Sequence, residues 1–155
     1  MFIKRTMFGR RFGLYWRKVE RVDGINSELG PGRHAILLDC DRCSERQLRA
    51  DLAVWLTEWD LPRADYLTTG RPDSWHVYVW CSVDFAYALK AACSFAHCDP
   101  AHLLWSHRRG HFTLRFSAKR GRSIEWAGYV DGPQPPSCSL DDFTSYTKYE
   151  TASRV

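Results

Sequence analysis

The chain has 155 residues, 45% apolar and 26% charged, which suits one soluble globular domain with a core of its own and leaves too little chain for two. The net charge is +4, no apolar run reaches the length of a membrane span, and charge interrupts the opening MFIKRTMFGRRFGLYWRKVER too often for a signal peptide. A cytoplasmic location and no membrane partner are therefore expected.

The first 33 residues read as a basic aromatic arm. Residues 1 to 21 carry seven Lys or Arg against one Glu, interleaved with Phe2, Phe8, Phe12, Tyr15 and Trp16. Residues 108 to 122 hold six more basic residues and no acid, and 17 of the 22 basic residues are Arg, whose planar fork matches phosphate. Arg10, Arg11 and Arg17 in the arm, with Arg108, Arg109, Arg120 and Arg122, are thus candidates for nucleic-acid contacts; each alone also suits a solvated loop.

After the turn-forming loop NSELGPGR comes HAILLDCD, residues 34 to 41, an apolar strand that ends in two carboxylates. Side chains alternate across a strand, so Asp39 and Asp41 share one face and Cys40 takes the other. Two like charges side by side call for a positive partner between them, or for a strand end that has run out into water with Asp41 or Ser44 serving as a helix cap. Ser44 opens a helix with Gln47 at capping-box spacing. Leu48, Leu52, Trp55, Leu56 and Trp59 then form one helical stripe that stops near Leu61-Pro62.

A short strand, DYLTT, and the turn GRPD lead into WHVYVWC, which alternates with Trp75, Val77, Val79 and Cys81 on one face and His76, Tyr78 and Trp80 on the other. A second helix is expected from Ser82 to about Ala96, its inner side formed by Phe85, Leu89, Ala92 and Phe95 or Ala96. HLLWS, HRRG and HFTLRFS then read as a hairpin, and SIEWAGY as a further strand. From Asp131 the composition shifts to DGPQPPSCS and a polar tail, expected as a loosely packed extension.

The order is strand, helix, strand, strand, helix, strand, with extra strands behind it. That is the split βαβ pattern of ferredoxin-like and RNA-recognition folds: an α+β domain with two helices on one face of an antiparallel sheet. In such a sheet the first strand lies between the third and fourth, so His76 becomes a neighbour of Asp39 and Asp41. Asp99, between the second helix and the next strand, falls at the same edge. Three carboxylates and a histidine would then converge, and grouped carboxylates suit hard divalent cations and phosphoryl transfer.

Six cysteines with no export signal read as reduced thiols. The Cys40-x-x-Cys43 spacing is the one zinc or redox suggestion, with Cys93, His97 and Cys98 as candidate partners. Cys40 reads instead as a strand residue facing the core, so zinc is not expected.

The pattern LLDCD, then SWH, then CD, in this order over residues 34 to 122, resembles the three motifs of the archaeo-eukaryotic primase superfamily, in particular its small plasmid and viral primase-polymerases. The resemblance implies that residues 34 to 130 form a catalytic core and that Asp39, Asp41 and Asp99 hold Mg²⁺ or Mn²⁺. It further implies that Ser74 and His76 contact the phosphates of a nucleoside triphosphate and that Arg115, with Lys119, neutralises the triphosphate. The implied reaction is attack of a 3′-hydroxyl on an α-phosphate with pyrophosphate leaving. Its substrate is single-stranded or primer-template DNA, and a helicase or second replication subunit is a candidate partner.

Two other functions remain open on the sequence. One is a non-catalytic single-strand-binding module that stacks bases on Tyr78, Trp80 or Phe112, although no GFAFV-type strand motif is present. The other is a rolling-circle initiator nuclease using Tyr146 or Tyr149, but no His-x-His pair occurs in the chain.

Overall fold

Nine residues, Arg33–Asp41, form the central strand β5, and five successive ones, His34 to Leu38, are buried, which only a strand covered on both faces can accommodate. The computed structural model describes residues 2–7, 10–15, 19–118 and 121–151, with side chains described for residues 21–118 and 121–148. Around β5, in chain order, lie strands β1 (Phe2–Met7), β2 (Arg10–Tyr15), β3 (Val19–Asn26) and β4 (Glu28–Gly30) before it. After it come helix α1 (Glu45–Glu58), strands β6 (Ala64–Thr68) and β7 (Ser74–Val83), and helices α2 (Phe85–Ser94) and α3 (Pro100–Arg109). Strands β8 (Thr113–Arg115), β9 (Glu125–Val130) and β10 (Thr144–Thr151) complete the chain.

Among the described residues the strands form antiparallel sheets in an α+β arrangement: a five-stranded sheet ordered β4-β5-β7-β6-β9, a three-stranded sheet ordered β10-β3-β8, and the pair β1-β2. The underside of the larger sheet carries the core. Ile36, Leu38 and Cys40 of β5 and Val77, Val79 and Cys81 of β7 are buried there together with Leu48, Leu52, Trp55 and Leu56 of α1 and Ala88, Ala91 and Ala92 of α2. Ser44 caps α1 by accepting the Gln47 N–H at 3.3 Å, as the capping spacing predicts. Trp55 Nε1–H donates to the Ala91 carbonyl at 3.1 Å and so ties α1 to α2 without leaving a buried donor unpaired.

Three expectations differ from the structure. The stretch HLLWS is helical and belongs to α3, because Asp99 accepts the Ala101 N–H at 3.0 Å, Pro100 occupies the first turn, and Gly110 closes the helix in the left-handed conformation at φ 77°. The second helix starts at Phe85 with Asp84 rather than Ser82 as its cap; Ala92 is buried as expected, Ala88 and Ala91 join it, and Phe85 and Leu89 are partly buried against the core. The segments expected as a basic arm and a loose tail contribute β3 and β10, paired from Thr144↔Asn26 to Thr151↔Val19.

The two larger sheets meet at Ser27. Its backbone N–H donates to the Phe112 carbonyl, its carbonyl accepts the Ala35 N–H of β5, and its fully buried hydroxyl accepts the Phe112 N–H at 2.9 Å. The same hydroxyl shares a hydrogen bond with His34 Nδ1, 3.3 Å away. The second face of β5 and β7, covered at Leu37 and Tyr78 and open at the end that carries Asp39 and Asp41, stands beside β3 and β8.

Candidate active site

The β5–β7 register places Asp39 opposite His76 and Asp41 opposite Ser74, so these four side chains share the open face. His76 Nε2 lies 3.8 Å from Asp39 Oδ1. The third acid arrives from the other side: the Asp99 N–H donates to the Asp39 carbonyl at 2.7 Å and the Asp41 N–H donates to the His97 carbonyl at 3.2 Å. These two bonds pin the residues before α3 against the outer edge of β5, with Cys40 and Cys98 as the bridged pair.

The electrostatics show how close the acids are. Burial, together with the charges of Asp41 and Asp99, pushes the Asp39 carboxyl up to about 6, against the opposing pull of Arg115 and Arg71. Burial, reinforced by Arg115 and His102, pushes His76 down to about 3, so its imidazole is uncharged at neutral pH. Its Nδ1 is buried without a hydrogen-bond partner, a costly state.

Arg115 on β8 reaches across to this face. Its guanidinium donates to the Ser117 carbonyl at 3.0 Å and the Thr69 carbonyl at 3.4 Å, which holds β8 to the end of β6. Arg71, not singled out from the sequence, acts on Asp39 from the turn between β6 and β7, where Gly70 (φ 71°) and Asp73 (φ 54°) reverse the chain. The one signal for it was its place in GRPD, directly before SWH. Ser74 is buried and its hydroxyl accepts from Thr69 Oγ1 at 2.8 Å, so it braces this turn from within.

Asp39, Asp41, Asp99, Ser74, His76 and Arg115 therefore come together. Lys119 and Arg120 lie outside the described residues, as do Arg17 and the side chains of Arg10 and Arg11. Arg108 and Arg109 stand apart at the exposed end of α3, flanking the Trp105 ring at 5.3 and 5.6 Å. Arg122 is exposed and packs its backbone against Gly70. Cys40 and Cys98 lie buried, as does Cys43, and burial pushes Cys43 up to about 11 and Cys98 up to about 12, so none is a thiolate at neutral pH.

Among the described residues no group of three or more His, Cys, Asp or Glu side chains is placed to hold a metal ion. Asp39, Asp41 and Asp99 bring hard oxygen donors from two chain segments to one place, where burial and the charges of the other two raise Asp39, beside the neutral imidazole of His76.

Next to the acids the open face becomes apolar. A groove of about 510 Å³ runs between β7, β6 and β9 on one side and β3 and the Leu140–Asp142 turn on the other. Tyr78 and Trp80 stack in its floor at 6.5 Å between ring centres, and Phe143 meets Trp80 edge-on at 5.9 Å. No described helix is long and apolar enough to cross a membrane. Compared with known protein families, curated proteins and solved structures, the chain matches none.

Proposed function

We propose that this chain is a metal-dependent nucleotidyltransferase of the primase-polymerase type, which extends or begins a DNA strand from nucleoside triphosphates during replication of a plasmid or virus. The observation that carries the reading is one of register. Asp39 pairs with His76, Asp41 pairs with Ser74, and Asp99 hydrogen-bonds to Asp39, so three short motifs far apart in sequence meet on one sheet face. The order Cys98 segment, β5, β7, β6 supports a split βαβ core beneath them.

Asp39, Asp41 and Asp99 would hold Mg²⁺ or Mn²⁺, which supplies positive charge to phosphate oxygens. The protein's own groups do the rest. His76, kept neutral by burial, offers a hydrogen bond to a phosphate oxygen without adding charge. Arg115 and Arg71 provide fixed positive charge beside the acids, which favours a polyphosphate over a neutral ligand. Ser74, through Thr69, holds the β6–β7 turn that presents Arg71.

The test is nucleotide incorporation on primed and unprimed single-stranded DNA with Mn²⁺ or Mg²⁺. Wild type incorporates, and Asp39→Asn/Asp41→Asn loses incorporation while keeping its circular dichroism. Absence of incorporation by folded wild type under all these conditions overturns the reading.

A further inference from the structure

We infer that the aromatic groove beside the acids seats an unpaired base of a single-stranded nucleic acid, independently of metal. The inference rests on the nucleic-acid reading above and names what lies beyond the acids. The groove's volume falls within the range of small-ligand clefts, roughly 300–1,000 Å³, and its walls are Leu67, Tyr78, Trp80, Phe116, Trp126 and Phe143. Trp126 is 60% and Phe116 46% exposed, a large aromatic display that no described residue covers.

Three observations select the occupant. The first is continuity: Leu67 pairs with His76, which pairs with Asp39, so the groove wall is two strands from the carboxylates in the same row. A strand whose base lies in the groove runs its phosphates toward Arg71 and Arg115, the cations that already act on Asp39. The second is chemistry: flat rings on the floor and at the mouth offer π faces, which every base can use.

The third observation is how few polar groups line the groove. Besides the Tyr78 hydroxyl and the indole N–H groups of Trp80 and Trp126, Ser145 and Asp65 supply the polar side chains among its lining residues, and Asp65 Oδ1 is taken by Arg63 Nε at 2.8 Å. A lining this poor in donors and acceptors reads base edges weakly. Stacking without readout suits a strand of arbitrary sequence, as a template is, and does not suit selection of one free nucleotide.

The experiment measures anisotropy of a labelled ten-residue oligothymidylate and of an abasic oligonucleotide of equal length, both in EDTA at fixed salt. Wild type is expected to bind the thymidylate at least tenfold more tightly than the abasic strand. Trp126→Ala/Phe116→Ala narrows the ratio to under threefold with the abasic affinity unchanged, Trp126→Phe restores most of it, and Asp39→Asn/Asp41→Asn leaves it intact. Equal affinity for the two strands, no binding of either, or a ratio indifferent to Trp126→Ala/Phe116→Ala overturns the inference. So does sedimentation as a dimer that this double variant dissociates, which would give the groove to a second copy of the chain. The two readings fail separately: base preference without incorporation removes the polymerase, and incorporation without base preference removes the groove.

Discussion

Asp39 and His76 face each other across β5 and β7 with 3.8 Å between Oδ1 and Nε2, and burial drives each toward its neutral form, the acid up to about 6 and the base down to about 3. For Asp39 the folded state binds its proton more tightly than the unfolded chain, whose carboxyl titrates near 3.8. Its contribution to stability is therefore complete below pH 3.8 and is lost as pH rises through 6. Asp39→Asn should raise the melting temperature at pH 8 by about 2–4 °C, corresponding to ~1 kcal/mol after solvent screening, and should have no such effect at pH 4. Equal shifts at both pH values would assign the gain to something other than charge.

His76 has the opposite sign. Its folded pKa lies below the unfolded value of 6.5, so its contribution is complete above pH 6.5 and fades as pH falls toward 3. Between pH 6 and 4 the two residues offset one another. Relative to wild type, His76→Gln should gain stability on going from pH 6.5 to 4, read from urea midpoints at the two values. A gap between variant and wild type that stays constant with pH would contradict this.

Divalent cation should act through the acids. At pH 8, millimolar Mn²⁺ is expected to raise the melting temperature of wild type, since a cation bound to the folded protein offsets the cost of burying the Asp39 charge beside Asp41 and Asp99. Asp39→Asn/Asp41→Asn should show no shift with Mn²⁺. A shift of equal size in both proteins would place the ion elsewhere.

Two glycines give a matched pair. A Cβ on Gly24 would fall 2.4 Å from the Tyr146 ring and 2.5 Å from the Leu114 carbonyl, whereas a Cβ on Gly30 meets nothing within 4 Å. Gly24→Ala should cost ~1–3 kcal/mol by prying β10 and β8 from β3. Gly30→Ala should be neutral or slightly stabilising, by up to ~1 kcal/mol. Chemical denaturation of both variants tests the pair.

In the core, Leu52 of α1 is fully buried against the underside of the sheet. Leu52→Ala should lose ~2–5 kcal/mol, while Val54→Ala on the exposed side of the same helix, 59% accessible, should change stability little. Comparable losses at the two positions would mean that α1 does not present the face its leucines define.

The elements with a strong local pattern were legible. β5 is a run of apolar residues, α1 has both a cap and a stripe, and β7 alternates, so Asp39, Asp41 and His76 could be set on neighbouring strands from the sequence. Asp99 was legible as a residue at the edge but not as the cap of a helix: the apolar residues of HLLW mimic a strand, and the Asp-Pro start and glycine stop that decide the matter lie outside them. Pairing of β3 with β10 joins residues more than a hundred positions apart, for which no local signal exists. Arg71 was hidden for a similar reason, since only the folded turn brings it to Asp39.

The outer edge of β5 has a further consequence. Its outward polar groups are met one after another by short pieces of other elements: the Ala35 N–H by the Ser27 carbonyl, the Asp39 carbonyl by the Asp99 N–H, and the Asp41 N–H by the His97 carbonyl. Between them the Leu37 carbonyl accepts from His102 Nε2 of α3 at 2.8 Å, which fixes the proton on that nitrogen. β4 covers only the start of this edge, and beyond it these contacts occupy backbone groups of β5 that would otherwise be open to another molecule. A side chain standing in for a strand's amide thus helps close this apolar segment to self-association while the carboxylates at its end reach water.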